Sequence, residues 1–247
     1  MMRLLLTRPR FEAERTADAL RSMGHEPVLA PVLEIENIGD AVIGSGPFAA
    51  LLMTSGNAAR AIAEHPARSA LAALDCFAVG SQTAATARLA GFANVYSANG
   101  DGGDLARLIG DRLRGRSAPL LYLAGDDRAR DMAAELAPHG LRLEIVVVYR
   151  ARAARNFESS IVAALKAGQF DGVLHYSRRS TAIFIDCVRA AQAEAAAARL
   201  AHFCLSARAA EPLSAINPGF IRVAQSPDEA AMLALVSKGQ VAAMRHP

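Results

Sequence analysis

Apolar residues along this chain fall into short strand-like runs, each followed by a longer stretch with helical spacing. The first run is Leu4–Thr7. Pro9 follows at a position where a helix can begin without losing a hydrogen bond, and Phe11 to Met23 reads as a helix stopped by Gly24. The same strand-then-helix unit restarts at Ala50–Thr54, Phe77–Val79, Leu120–Leu123, Gly172–Tyr176 and Phe203–Leu205. This alternation predicts an α/β protein whose parallel sheets carry helices on both faces. Two segments break the rhythm, Pro31–Glu36 and the β-branched run Ile145–Tyr149.

The units resemble one another in pairs. Phe77-Ala78-Val79-Gly80-Ser81 leading to Gly91-Phe92 parallels Phe203-Cys204-Leu205-Ser206-Ala207 leading to Gly219-Phe220. Leu51 to Ser55 parallels Val173 to Ser177, and Leu4 to His25 parallels Leu120 to Gly140. Generic βα similarity is the plainer account of any one pair. The order of all three favours two similar domains. If each domain holds one unit of each kind, residues 1–33 must pack with 153–247, and 37–148 form an inserted domain. The segments 31–36 and 147–152 are then hinge strands, a two-stranded linker crossed twice by the chain, and the strand ends of the two domains would face each other across a cleft.

Composition narrows the chemistry. Hydrophobic residues make up 52% of the 247 and charged residues 21%, an ordinary globular balance. The net charge of +3 suits an acidic small molecule. Scattered basic residues and the absence of Trp argue against nucleic acid. Cys76, Cys187 and Cys204 lack zinc-ligand spacing, so no metal site is expected, and a sparse odd count fits a reducing compartment. With no signal-like start and no apolar run long enough to span a bilayer, a cytoplasmic protein without a membrane partner is expected.

Ligands of open parallel sheets bind beyond the carboxyl ends of the strands. The residues there are Thr7-Arg8, Thr54-Ser55-Gly56-Asn57, Gly80-Ser81-Gln82-Thr83, Gly125-Asp126, Tyr176-Ser177-Arg178-Arg179 and Ser206-Ala207-Arg208. Small and hydroxyl residues at helix starts favour anions, through free N–H groups and the positive helix end. Each alone reads as a helix N-cap ahead of a ligand contact, so the weight rests on their number. No GxGxxG follows the first strand, and neither a P-loop nor a GxSxG elbow occurs, which argues against dinucleotide, NTP and serine-hydrolase chemistry. Asp126-Asp127 reads as the cap of a helix over Arg128–Leu136. His175 reads as a structural histidine within a strand, and His25 and His139 as solvent-facing. Arg130 reads as an anion contact or a solvated side chain. Tyr149 ends the apolar run at the proposed hinge. It could donate a proton from its hydroxyl or pack its ring, and both readings stand.

The assembled pattern resembles the uroporphyrinogen-III synthase family over nearly the whole chain. The resemblance rests on Leu6-Thr7-Arg8-Pro9 with Gly24 and Pro27, and on Met53-Thr54-Ser55-Gly56-Asn57-Ala58. It continues through Ala78-Val79-Gly80-Ser81-Gln82-Thr83-Ala84, Tyr122-Leu123-Ala124-Gly125 with Arg128, Val146–Arg150, and Ser177-Arg178-Arg179-Ser180. It implies two α/β domains joined by a two-stranded ladder, and the cyclisation of hydroxymethylbilane with loss of water and inversion of ring D. It also implies that no cofactor is used, that the substrate is a linear tetrapyrrole with eight carboxylates, and that the chain acts as a monomeric hydro-lyase. Tyr149 matches the family's tyrosine thought to assist departure of hydroxide. Thr83, Thr54, Ser55 and Ser177 match hydroxyl positions facing the substrate, and Thr7, Arg8, Gly56, Ser81, Arg178 and Ser206 complete the implied substrate-binding set. One position departs: many relatives carry a hydroxyl where this chain has Ala209 in Ser206-Ala207-Arg208-Ala209-Ala210. A non-catalytic two-domain binding protein for an anionic metabolite is the alternative class.

Overall fold

The computed structural model describes residues 1–98, 102–128 and 131–243, with side chains through residue 237. The chain opens with β1 (Arg3–Leu6), α1 (Arg10–Ser22), β2 (Glu26–Leu29) and β3 (Leu33–Asn37). Its middle carries β4 (Ala50–Met53), α2 (Gly56–Ala63), α3 (Arg68–Leu71), β5 (Cys76–Val79), α4 (Gly80–Leu89), β6 (Val95–Ala98), α5 (Gly102–Arg112), β7 (Leu120–Gly125), α6 (Met132–Leu136) and β8 (Leu143–Ala153). The remainder is α7 (Ser159–Lys166), β9 (Gly172–His175), α8 (Arg178–Ala190), α9 (Glu194–Ala197), β10 (Ala201–Cys204), α10 (Ala207–Ala210), β11 (Phe220–Val223) and α11 (Glu229–Ala243). Contacts group these elements into two units, Met1–Glu34 with Arg152–Pro247, and Ile35–Ala151.

The first unit is built on a sheet ordered β11-β10-β9-β1-β2, with the pairings β1·β2, β1·β9, β9·β10 and β10·β11 all parallel. Alternate strand residues point to opposite faces. Leu5 and Val173 enter one apolar layer with Ile161 and Leu165 of α7 and Phe184 and Val188 of α8. Leu4, Leu6 and Leu174 enter the other, with Ala13, Ala17 and Leu20 of α1 and Met232 and Val236 of α11. Burial on both faces is why these strands read as continuous apolar runs rather than alternating ones.

The second unit repeats this construction. Its sheet is ordered β3-β8-β7-β4-β5-β6, with parallel pairings from β8 through β6. Leu51, Met53, Leu121 and Leu123 face the layer of α2 and α4, and Ala50, Leu52, Leu120 and Tyr122 face that of α5 and α6. Counted from β1, the first sheet has the doubly wound order 2-1-3-4-5. Counted from β7, the second has the same order, with β3 added outside β8. The unit pairs noted in the sequence thus occupy matched places: β1 with β7, β9 with β4, and β10 with β5.

The structure corrects two expectations. Asp126 and Asp127 do not cap a helix at Arg128. Asp131 does, accepting from the Ala133 and Ala134 N–H groups at 3.1 Å, so the helix spans only Met132–Leu136. His25 is buried rather than solvent-facing, its Nδ1 accepting from the Met2 N–H at 3.2 Å. Burial, with the nearby N-terminal charge, holds His25 below the ordinary histidine pKa.

His175 is buried, as its strand position suggests, but it is not alone. Its Nε2 lies 3.0 Å from His202 Nδ1, and the two rings are nearly parallel. His202 Nε2 lies 3.0 Å from the Ala197 carbonyl, which can only accept. That contact places the His202 proton on Nε2 and makes its Nδ1 an acceptor. His175 therefore donates from Nε2, and its own Nδ1 is buried without a partner among the described residues.

Candidate functional site

In a doubly wound sheet the ligand crevice opens where the strand order reverses, beyond the carboxyl ends of strands one and three. In the second unit these strands are β7 and β4, and a cavity of about 290 Å³ lies there. Thr54, Ser55, Tyr122, Gly125, Asp127, Arg128 and Tyr149 line it. A second cavity of about 350 Å³, lined by Phe48, Ser117 and Arg142, sits at the opposite, amino ends of the same strands, where this fold does not bind ligands.

Tyr149 reaches the cavity through an irregularity in the ladder. Strand β7 pairs with β8 in regular register as far as Ala124 with Val147, but the next partner of Gly125 is Tyr149. Val148 is the extra residue of a β-bulge, a device that re-aims side chains beside functional sites. Val148 is buried and Tyr149 is half-buried. The tyrosine ring then lies directly on Gly125, because a Cβ at residue 125 would stand 2.6 Å from Tyr149 Cζ.

Thr54 and Ser55 follow β4. Ser55 caps α2, its Oγ accepting from the Asn57 N–H at 3.2 Å. Thr54 Oγ1 lies 2.7 Å from the hydroxyl of Tyr122, which projects from the adjacent strand. Tyr122 is almost fully buried, whereas Thr54 is partly exposed. That asymmetry predicts unequal costs. Thr54→Val strands a buried phenol and should destabilise the chain by about 1–3 kcal/mol, while Tyr122→Phe leaves a threonine that water can serve and should cost about 1 kcal/mol. Urea unfolding of the two variants checks the order; equal losses would contradict it.

Nearby, α4 begins at Gly80, whose φ of +73° is a left-handed conformation suited to glycine, and no side chain among the described residues caps the helix. Ser81 on its first turn is exposed and Thr83 is buried. Gly56 stands at the start of α2, where an added Cβ would approach Thr86 Oγ1 at 3.1 Å.

The other sequence-derived candidates belong to the first unit. The Thr7 hydroxyl is fully buried and donates to the Leu174 carbonyl at 2.9 Å; it ties β1 to β9 and does not present itself to a ligand. Arg8 is ion-paired to Glu229 at 2.8 Å. Ser177 caps α8, accepting from the Ser180 N–H at 3.1 Å, and Arg178 pairs with Glu211 on the surface at 2.9 Å. Ser206 caps α10 through the Ala209 N–H at 3.2 Å. Ala209 itself is fully buried in the apolar layer, so the hydroxyl absent there is absent from the interior, not from a ligand surface. Arg130 lies outside the described residues. Among the described residues no group of histidine, cysteine and carboxylate side chains could hold a metal, and no helix is long and apolar enough to cross a membrane.

Comparison with known proteins converges on one family. Residues 14–234 match the family model described as uroporphyrinogen-III synthase HemD (HEM4). The fold is similar to a solved uroporphyrinogen-III synthetase from Helicobacter pylori, with a TM-score of 0.66 at 18% identity over 96% of this chain and 99% of that one. A uroporphyrinogen III synthase structure from Thermus thermophilus aligns over 96% and 98% of the two chains at 15% identity, with a TM-score of 0.49. Comparison with curated proteins finds no match. The family match spans most of both units, including every described residue that lines the cavity at the end of β7, and the chain therefore belongs to the uroporphyrinogen-III synthase family.

Proposed function

We propose that this chain cyclises hydroxymethylbilane to uroporphyrinogen III with net loss of one water, as a hydro-lyase, and that the reacting end of the substrate enters the cavity of the second unit. The observation that carries this reading is Tyr149, delivered by a bulge onto Gly125 at the switch point of the sheet. At about 290 Å³ the cavity is at the low end of small-ligand sites and suits one pyrrole ring rather than four.

The chemistry follows from those groups. Departure of hydroxide from the terminal hydroxymethyl group needs a proton donor, and the Tyr149 hydroxyl supplies it as a general acid. The azafulvene cation that remains is attacked by the substituted carbon of ring D to give a spiro intermediate. That intermediate opens and recloses with ring D inverted, and loss of a ring proton completes the product. Uncatalysed closure gives the other isomer, so the protein's contribution is chiefly to hold geometry and stabilise charge. Arg128, Asp127 and the hydroxyls of Thr54, Ser55 and Tyr122 are among the polar groups the cavity offers for substrate carboxylates, pyrrole N–H groups and the developing cation.

Purified protein given hydroxymethylbilane should yield uroporphyrinogen III with no added metal or cofactor. Formation of the I isomer alone, at the spontaneous rate, would refute this function.

A further inference from the structure

The first unit has its own switch point, between β1 and β9, and a cluster there has no part in the chemistry above. Arg8 follows β1, Tyr176 follows β9, and Thr16 stands on α1. All three donate to one carboxylate, that of Glu229. Arg8 Nη1 reaches Oε2 at 2.8 Å, while Thr16 Oγ1 and the Tyr176 hydroxyl reach Oε1 at 2.6 and 3.1 Å. The Arg8 guanidinium lies over the Tyr176 ring, 4.0 Å from its centroid, which fixes the direction of both donors. Thr16 is buried. Burial and the Glu229 charge push the Tyr176 pKa upward, so the phenol keeps its proton and remains a donor.

The acceptor is held differently from the donors. Glu229 is the first residue of α11 and its side chain is 41% exposed. The helix is anchored separately, by Met232 and Val236 in the apolar layer. Glu229 can therefore turn toward water without undocking α11. Three converging donors, one a guanidinium and two hydroxyls, form a carboxylate receptor at the place where this fold binds ligands.

We propose that Arg8, Thr16 and Tyr176 form a subsite for a substrate carboxylate, and that Glu229 occupies it as a stand-in until substrate displaces it. The proposal rests on the polycarboxylate substrate argued above. Exchange of one carboxylate for another leaves every donor paired, so displacement exposes no unsatisfied group. An intramolecular competitor acts at an effective concentration of roughly millimolar or more, which masks much of the subsite's intrinsic affinity.

Removal of the stand-in should unmask it. Glu229→Ala is expected to lower KM for hydroxymethylbilane about fivefold or more, and to tighten binding of mellitate, an unreactive benzene hexacarboxylate, by a similar factor in calorimetry at low salt. Arg8→Gln in the same background should abolish both gains. Should Glu229→Ala fail to fold, Glu229→Gln, which removes only the charge, carries the same expectation in weaker form. An unchanged or raised KM together with unchanged mellitate affinity would show that Glu229 merely docks α11, and would overturn the proposal. Mellitate binding separates the two readings: if no variant turns over hydroxymethylbilane, the proposed reaction fails, and the mellitate affinities still decide the subsite.

Discussion

Gly125→Ala should remove most of the turnover while leaving the chain folded. The new Cβ would stand 2.6 Å from Tyr149 Cζ, 2.7 Å from its hydroxyl oxygen and 2.9 Å from Cε2, all inside contact distance. Tyr149 is half-buried, so its ring can tilt outward instead of forcing the sheet apart. The expected loss of stability is therefore in the ordinary overpacking range of about 1–3 kcal/mol. Activity should suffer far more. A positioned general acid contributes about 10²–10⁴-fold, and a displacement of about 1 Å can forfeit 10²-fold of that. Tyr149→Phe removes the same proton by another route and should lower kcat by a similar factor with little change in KM. Because both substitutions disable one group, the double variant should be scarcely slower than the worse single one. Initial rates of uroporphyrinogen III formation, set beside urea midpoints, test all three. Wild-type turnover in Gly125→Ala would return Tyr149 to a packing role.

Local sequence shows part of this site and hides the rest for identifiable reasons. The central strands β1, β4, β5, β7, β9 and β10 are legible because both their faces are buried, leaving uninterrupted apolar runs. The strands β2, β6 and β11 lie at the sheet edges and mix polar with apolar positions, so they carry no comparable signal. Thr54 and Ser55 are found by their place after a strand. Tyr122 is not, since a tyrosine inside Leu120–Leu123 reads as core until the register sets it beside Thr54. The Val148 bulge is equally invisible, because one extra residue in a run of valines changes no periodicity. Thr7 shows what strand position alone leaves open. It stands beside Arg8 at a strand end, yet its hydroxyl turns inward to Leu174. Glu229 leaves no local trace at all, being 221 residues from Arg8 along the chain.

The His175–His202 pair should make the chain acid-labile in a defined window. Burial lowers both pKa values, that of His202 to about 4 and that of His175 well below the ordinary 6.5, with the charge of its partner as a second cause. In the unfolded chain each titrates near 6.5. The unfolded state thus binds more protons than the folded state below that pH. Stability is complete above pH 6.5 and declines as the pH falls toward 4. Each histidine that stays neutral in the fold contributes a slope of about 1.4 kcal/mol per pH unit, so His202 alone accounts for about 3 kcal/mol by pH 4, and His175 adds in the same direction. Losses of that size are a large part of a typical folding free energy of about 5–15 kcal/mol. The second unit offers the control. Strand register places Met53 opposite Ala78 as His175 stands opposite Cys204, so Met53 and Cys76 occupy the positions of His175 and His202. Replacement of one histidine alone strands the other's hydrogen-bonding atoms. The paired variant His175→Met with His202→Cys removes both titrations and leaves no unpaired partner. Urea midpoints measured from pH 7.5 down to 4.5 should fall steeply for the wild type and much less for the pair. Parallel profiles would mean that acid lability arises elsewhere. A flattened profile would assign the acid sensitivity to two side chains in one apolar layer of the first unit, whereas Tyr149 belongs to the second, so that stability and turnover could be varied independently across the same pH range.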